Sequence, residues 1–110
     1  MVPHAGVRLP LDIPVSCRHK GRQGPVIKGR TGDVDRRGLL LRLPLGIPPG
    51  TPLALTLHTT KGTVMVEGQV VWAEDQDARK TTELFKHGVR FTSPSWSVSL
   101  ALGLLLAEPR

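Results

Sequence analysis

The residues best able to do chemistry lie together in the stretch GRTGDVDRRGLLLRL, residues 29 to 43. Side chains alternate along an extended chain, so Asp33 and Asp35 share one exposed face while Val34 points the other way, into a core. Arg36 and Arg37 come next and add two positive charges. Gly38 then supplies a position that can take positive φ, or let a ligand approach the backbone. On residue types alone the same stretch is also an ordinary solvated β-turn, with Asp and Gly in their usual turn roles. Both readings stay open at this point.

Elsewhere the chemistry is thin. Cys17 is the single cysteine, which excludes an internal disulfide, leaves no pair for a metal site and suits a reducing, cytoplasmic compartment. Its place on the apolar face of a strand makes it a small buried hydrophobe rather than a nucleophile. His19, His58 and His87 stand in unrelated segments, without a nucleophile elbow, a phosphate-cradling glycine loop or metal-ligand spacing. They read as surface residues on strand ends and loops. No enzyme activity, metal or cofactor is expected.

With 110 residues the chain makes one domain. Its charge is uneven: residues 1–42 hold nine Lys/Arg and three Asp/Glu, net +6, whereas residues 43–110 hold six of each. Such asymmetry points to an anionic partner, or serves solubility alone. The N-terminus lacks the unbroken apolar region of a signal peptide, and no segment reaches the eighteen or so apolar residues that span a bilayer. Membrane insertion is not expected.

Six strands and a helix are expected to position these groups. VRLPLDIPVSCRH alternates as a first strand, with Pro10 and Pro14 on its unpaired side or at a bulge. HKGRQGP is a loop, and PVIKGRTGDV a second strand whose Gly29 and Gly32 suit the bending of a small closed barrel. Gly38 to Leu43 forms a third. Its consecutive leucines, 39 to 41, send at least one side chain out of the main core. After the rigid PLGIPPG connection, TPLALTLH and TVMVEGQVVWAE form a hairpin about the tight turn TTKG, with a bulge expected at Gly68. EDQDARKTTE reads as a long exposed loop and HGVRFTS as the sixth strand, with Val89 and Phe91 inward and Arg90 outward. At SPSWSVSLALGLLLAE the period changes to that of a helix, with Ser93 or Ser95 as its cap and Trp96, Leu100 and Leu104 on one face. The expected class is all-β with one C-terminal helix: a flexible basic arm over residues 1–8, a barrel over 9–92 and a helix over 93–107 packed on the barrel.

These elements resemble a PilZ domain, a bacterial receptor for cyclic di-GMP. The family pattern has RxxxR before the first strand, DxSxxG or NxSxxG after the second, a GLLL-type third strand, VVW at the end of a long hairpin and GVRF in the sixth strand. Here stand HAGVRLPLDIPV, GDVDRRGLLLRLP, IPPGTPLALTL, GQVVWAE and HGVRFTSPS, in that order. The resemblance implies a six-stranded antiparallel PilZ-like β-barrel and assigns the ligand-binding residues. Arg8 takes the second arginine of RxxxR, and His4 stands where the first belongs. Asp33 takes the motif's first acid, Gly38 its glycine and Asp35 the serine position, with Arg36 and Arg37 offsetting the extra negative charge. A neutral imidazole at His4 offers fewer donors than a guanidinium, and a second carboxylate at Asp35 adds charge beside a dianionic ligand, so weakened binding or altered selectivity is implied.

The expected function is a stand-alone cyclic di-GMP sensor, whose ligand, frequently an intercalated dimer in this family, orders the arm against the barrel to create a surface for a downstream protein. The alternative is a degenerate PilZ domain that has lost the nucleotide and serves as a protein adaptor. Single-stranded nucleic-acid binding is disfavoured by the scarcity of aromatics, which are Trp72, Phe85, Phe91 and Trp96 alone. The chain is expected to be a monomer or a homodimer.

Overall fold

Runs of alternating Leu, Val and Thr, cut by Gly and Pro turns, yield strands and little else. The computed structural model describes residues 12–75 and 84–94, the backbone of Leu9 and Pro10, and Leu100 and Gly103. The strands are β1 (Leu9–Pro10), β2 (Pro14–His19), β3 (Ile27–Val34), β4 (Gly38–Leu43), β5 (Pro52–Thr59), β6 (Gly62–Ala73) and β7 (Phe85–Phe91). All pairings are antiparallel, in the order β1-β3-β2-β5-β6-β7-β4, and β4 pairs back onto β3. That last pairing closes six long strands into a barrel. The small β1 extends the edge of β3 beyond β2.

The expected first strand is therefore split in two. Pro10 faces Asp33 and Pro14 faces Arg30 across β3, so three residues on one side oppose two on the other and the extra residue forms a bulge. Thr31, fully buried, fastens it: its N–H donates to Ile13 O at 3.0 Å and its hydroxyl accepts from Ile13 N at 3.2 Å. Outside the bulge, Asp12 accepts from Arg30 and meets Arg42 Nη2 at 3.1 Å. The Arg30 hydrogen bond, ahead of the charges of Arg30 and Arg42, holds the Asp12 carboxyl below the usual carboxylate range.

Inside the barrel, alternate residues of every long strand meet in one core that includes Val15, Cys17, Val34, Leu39, Leu41, Leu43, Leu53, Leu55, Leu57, Val66, Val70 and Val89. Burial pushes the Cys17 thiol up to about 12, so it stays protonated and inert, as its strand position implied. The β5–β6 hairpin turns where expected, Thr59 facing Gly62. Of the three consecutive leucines, Leu40 faces outward while Leu39 and Leu41 are buried.

Two expectations are corrected. Gly68 is not bulged: buried positions alternate unbroken through Val66, Gly68 and Val70, and the register shift falls between Val70 and Trp72. A Cβ at Gly68 would lie 2.6 Å from Val89 Cγ1, so the glycine answers to close strand approach. His87 is not a surface histidine. It is fully buried, its Nε2 accepts from Ile47 N at 2.9 Å, and Nδ1 therefore carries the proton toward Phe85 O at 3.1 Å and Leu41 O at 3.3 Å. The helix expected over 93–107 lies largely outside the described residues. Leu100 and Gly103 are helical, whereas Ser93 and Pro94 are not. Most of the expected 74–83 loop and all of the 1–8 arm also lie outside them.

Desolvation, partly offset by its two carbonyl partners, lowers the His87 pKa below the ordinary 6.5. The unfolded chain thus takes up a proton first as pH falls, and the stability present above about pH 6.5 is lost progressively down to the folded pKa. Urea unfolding should show a lower midpoint at pH 5.5 than at pH 7.5, and His87→Gln should shrink that difference; an unchanged difference would mean that other groups cause it.

Candidate functional site

The turn from β3 to β4 is built by Asp35. Its Oδ1 accepts from Arg37 N at 2.8 Å and Gly38 N at 3.0 Å, while its own N–H donates to Gly38 O at 2.9 Å. This side-chain turn fixes Arg36 and Arg37 at the tip. Gly38 then enters β4 opposite Arg90 of β7. A Cβ there would stand 2.0 Å from Val89 O, so any side chain would push the turn off the barrel. Gly38 is needed for space and not for left-handed backbone, since its φ is not among the positive ones. Phe91 N donates to Arg37 O at 2.7 Å and completes the attachment.

On β6 the bulge re-aims a side chain. Period-two alternation places Val70 and Trp72 on one face, yet with the register shift between them Val70 is buried and both Val71 and Trp72 are exposed. Trp72 pairs with Gly88, and a Cβ on Gly88 would fall 2.1 Å from the indole Nε1. The bare glycine backbone is thus the floor on which the indole lies.

These features meet around a concavity of about 280 Å³ lined by Asp33, Asp35, Arg37, Gly38, Leu40, Trp72 and Arg90, among others. Its lining is apolar at Leu40, Val71 and Trp72, and charged at the two carboxylates and Arg37. Arg90, reaching Gln69 Oε1 with Nη2 at 3.2 Å, adds a second guanidinium. An aromatic plate beside acceptors and cations suits a planar heterocycle that carries donors on its edge and negative charge on its flank.

Of the seven residues singled out in the sequence, the structure brings Asp33, Asp35, Arg37 and Gly38 to this concavity. Arg36 is exposed on the same turn and does not line it. His4 and Arg8 lie outside the described residues. Sequence reasoning missed Trp72 and Arg90 as site residues. The outward alternation of Arg90 was a usable signal, but nothing in the sequence marks the bulge that exposes Trp72. Among the described residues, no group of three or more His, Cys, Asp or Glu side chains could hold a metal.

A family model described as PilZ domain matches residues 5–103. The chain belongs to the PilZ domain family. Solved PilZ structures agree in fold. The PilZ domain of CeSA from a cellulose-synthesising bacterium aligns with a TM-score of 0.66 at 18% identity, over 90% of this chain and 98% of that one. The PilZ domain of YcgR from Escherichia coli, solved with cyclic di-GMP, gives 0.64 at 16%, over 94% and 89%. MotI/DgrA, the inhibitor of motility of Bacillus subtilis, gives 0.64 at 14%, over 100% of this chain and 55% of that one. No curated protein matches in sequence.

Because Asp35 acts as the acceptor that closes the turn, a hydroxyl can replace it and a methyl cannot. Asp35→Ala should lower unfolding free energy by about 1–2 kcal/mol, while Asp35→Ser should stay within about 0.5 kcal/mol of the parent, as read by chemical denaturation. Equal losses for the two variants would refute the turn role.

Proposed function

We propose that this PilZ domain is a cyclic di-GMP sensor whose ligand is gripped between the concavity and the basic N-terminal arm. The observation that carries the reading is the convergence of Asp33, Arg37 and Gly38, three of the motif's neighbours in sequence, with Trp72 and Arg90 from two other strands. Guanine suits this set. Its ring would stack on the Trp72 indole, its N1–H and exocyclic amine would donate to the Asp33 carboxylate, and its phosphates would face Arg37 and Arg90. That the YcgR PilZ domain was solved with cyclic di-GMP adds support.

The arm has a geometrical route to the site. Leu9 faces Val34 and Pro10 faces Asp33, so the β1 register continued by one residue would bring Arg8 opposite Asp35. Ligand contacts would then offset the entropy of fixing residues 1–8, making an order-on-binding switch whose output is a new protein-binding surface. With a histidine at position 4, Arg8 carries the clamp without a second arginine. Arg37 and Arg90 take over part of the phosphate neutralisation.

Calorimetry with cyclic di-GMP tests the reading. Arg8→Ala should weaken binding at least about ten-fold, and Trp72→Ala should remove a stacking contribution of about 1–3 kcal/mol. A ligand at a hundred times its dissociation constant adds about 2.7 kcal/mol to stability. Neither heat nor a thermal shift at high ligand concentration would sink the sensor and leave the adaptor.

A further inference from the structure

Part of the positive charge in residues 1–42 has a placed counterpart. Arg30 and Arg42 meet Asp12, and Arg36 and Arg37 share their turn with Asp33 and Asp35. Arg18, Lys20, Arg22 and Lys28 do not follow that pattern: all four are exposed, on or beside the β2–β3 loop. Among the described residues the carboxylate that reaches them is Glu67, 3.0 Å from Lys20 Nζ. Three of the four positive charges thus stand without an acid in contact, and the nucleotide reading uses none of them.

Lys20 and Arg22, with His19, line a groove of about 460 Å³ together with Pro48, Pro49 and Pro52. A smaller recess of about 200 Å³, lined by Gln23, Gly24 and Pro25, shares His19 and Arg22 with it. Cations therefore stand midway along a track rather than around one pocket, which fits a chain better than a small anion. The proline ledge is fixed in advance. Thr51 Oγ1 donates to Pro48 O at 2.7 Å, Gln69 Nε2 to Gly50 O at 3.2 Å and Lys20 N to Pro52 O at 2.9 Å. Those carbonyls are thus taken up by the chain itself, and proline brings no N–H of its own. What the ledge offers an occupant is rigid apolar ring, beside guanidinium and ammonium groups.

We propose that the groove between the β2–β3 loop and the Pro48–Pro52 ledge docks an extended, carboxylate-rich segment of a partner protein. Charge complementarity carries the choice of occupant: carboxylates answer the uncompensated cations, and the spacers between them rest on the proline rings. The Lys20–Glu67 pair shows the chemistry already in place, and because both side chains are about half exposed the pair is weak and yields readily to an incoming acid. Nucleic acid fits less well, since its bases need aromatic faces to stack on and no Trp, Tyr or Phe lines the groove. A bilayer would meet the exposed cations but not the recess between them. The groove shares no lining residue with the turn-side concavity, so nucleotide and partner can be held together.

The probe is a fluorescein-labelled octaglutamate peptide, titrated with the full chain and followed by anisotropy. No nucleotide is added, so the result is independent of cyclic di-GMP binding. Lys20→Ala combined with Arg22→Ala should weaken binding at least about ten-fold, whereas Arg36→Ala combined with Arg37→Ala, which removes the same charge from the β3–β4 turn, should weaken it less than about three-fold. Pro49→Glu, which puts a like charge on the ledge, should weaken it as well, and urea midpoints show that these surface variants remain folded. Equal losses from the two double variants would overturn the proposal by showing that net charge alone attracts the peptide, and so would an anisotropy that never rises. Labelled oligothymidine, or phosphatidylglycerol vesicles, whose binding depends on Lys20 and Arg22 when that of octaglutamate does not, would overturn it in favour of a nucleic acid or a membrane.

Discussion

The approach of the β4 backbone to Val89 O at Gly38 is the constraint on which the site depends. With no room for a Cβ there, the β3–β4 turn lies directly against β7, and only then can Asp33 and Arg37 share a space with Arg90. The barrel supplies the rest of that closeness. Strand β4 is held from both sides, by β3 and by β7, so the turn cannot swing outward without breaking two ladders. A functional edge borrowed from a closed sheet is stiff in a way that a surface loop is not.

A second device works beside the first. The bulge at Val71 breaks the rule that Val70 and Trp72 must face alike, placing one in the core and the other at the site. It costs one irregular ladder step and gains an aromatic plate laid on glycine backbone. Bulges next to functional surfaces recur for this reason: they change which way a side chain points without changing where the strand runs. The bulge between Pro10 and Pro14 does comparable work where β1 gives way to β2, and Thr31 and the Asp12–Arg30–Arg42 cluster hold it in place.

Most of the fold was legible because period-two alternation and Gly/Pro punctuation are local. The barrel strands, the Thr59–Gly62 hairpin turn, the outward Leu40 and the buried Cys17 all follow from residues within a few positions of one another. What was not legible depended on distant partners. His87 looks like a strand-end surface residue until Ile47 N, contributed from the β4–β5 connection, gives its ring a donor to accept from and permits its burial. The bulge hides likewise, since VVW reads as an unbroken strand and only the pairing with Gly88 and Val89 shows that one residue is extra. The motif was legible as a string and its Asp and Gly as turn residues, but which of the two acids closes the turn was not.

That last point separates the two acids of the site. Asp35 sits where the family pattern has serine, and its Oδ1 makes the two backbone hydrogen bonds that a hydroxyl oxygen could accept there. The geometry of the turn therefore survives the change, and what differs is the field. At an effective dielectric of about 20, two unit charges about 8 Å apart interact by about 2 kcal/mol before salt screening, a penalty for any dianion that approaches. Three guanidinium groups, on Arg36 and Arg37 of the same turn and on Arg90 across from it, act with the opposite sign, and the two peptide N–H groups on Oδ1 withdraw part of its charge from the concavity. Asp33, two residues earlier on β3, lines the same concavity as the Trp72 indole. One carboxylate thus holds the turn while the other borders the space beside it, and the field in that space is set by the balance between those cations and the charge Asp35 adds.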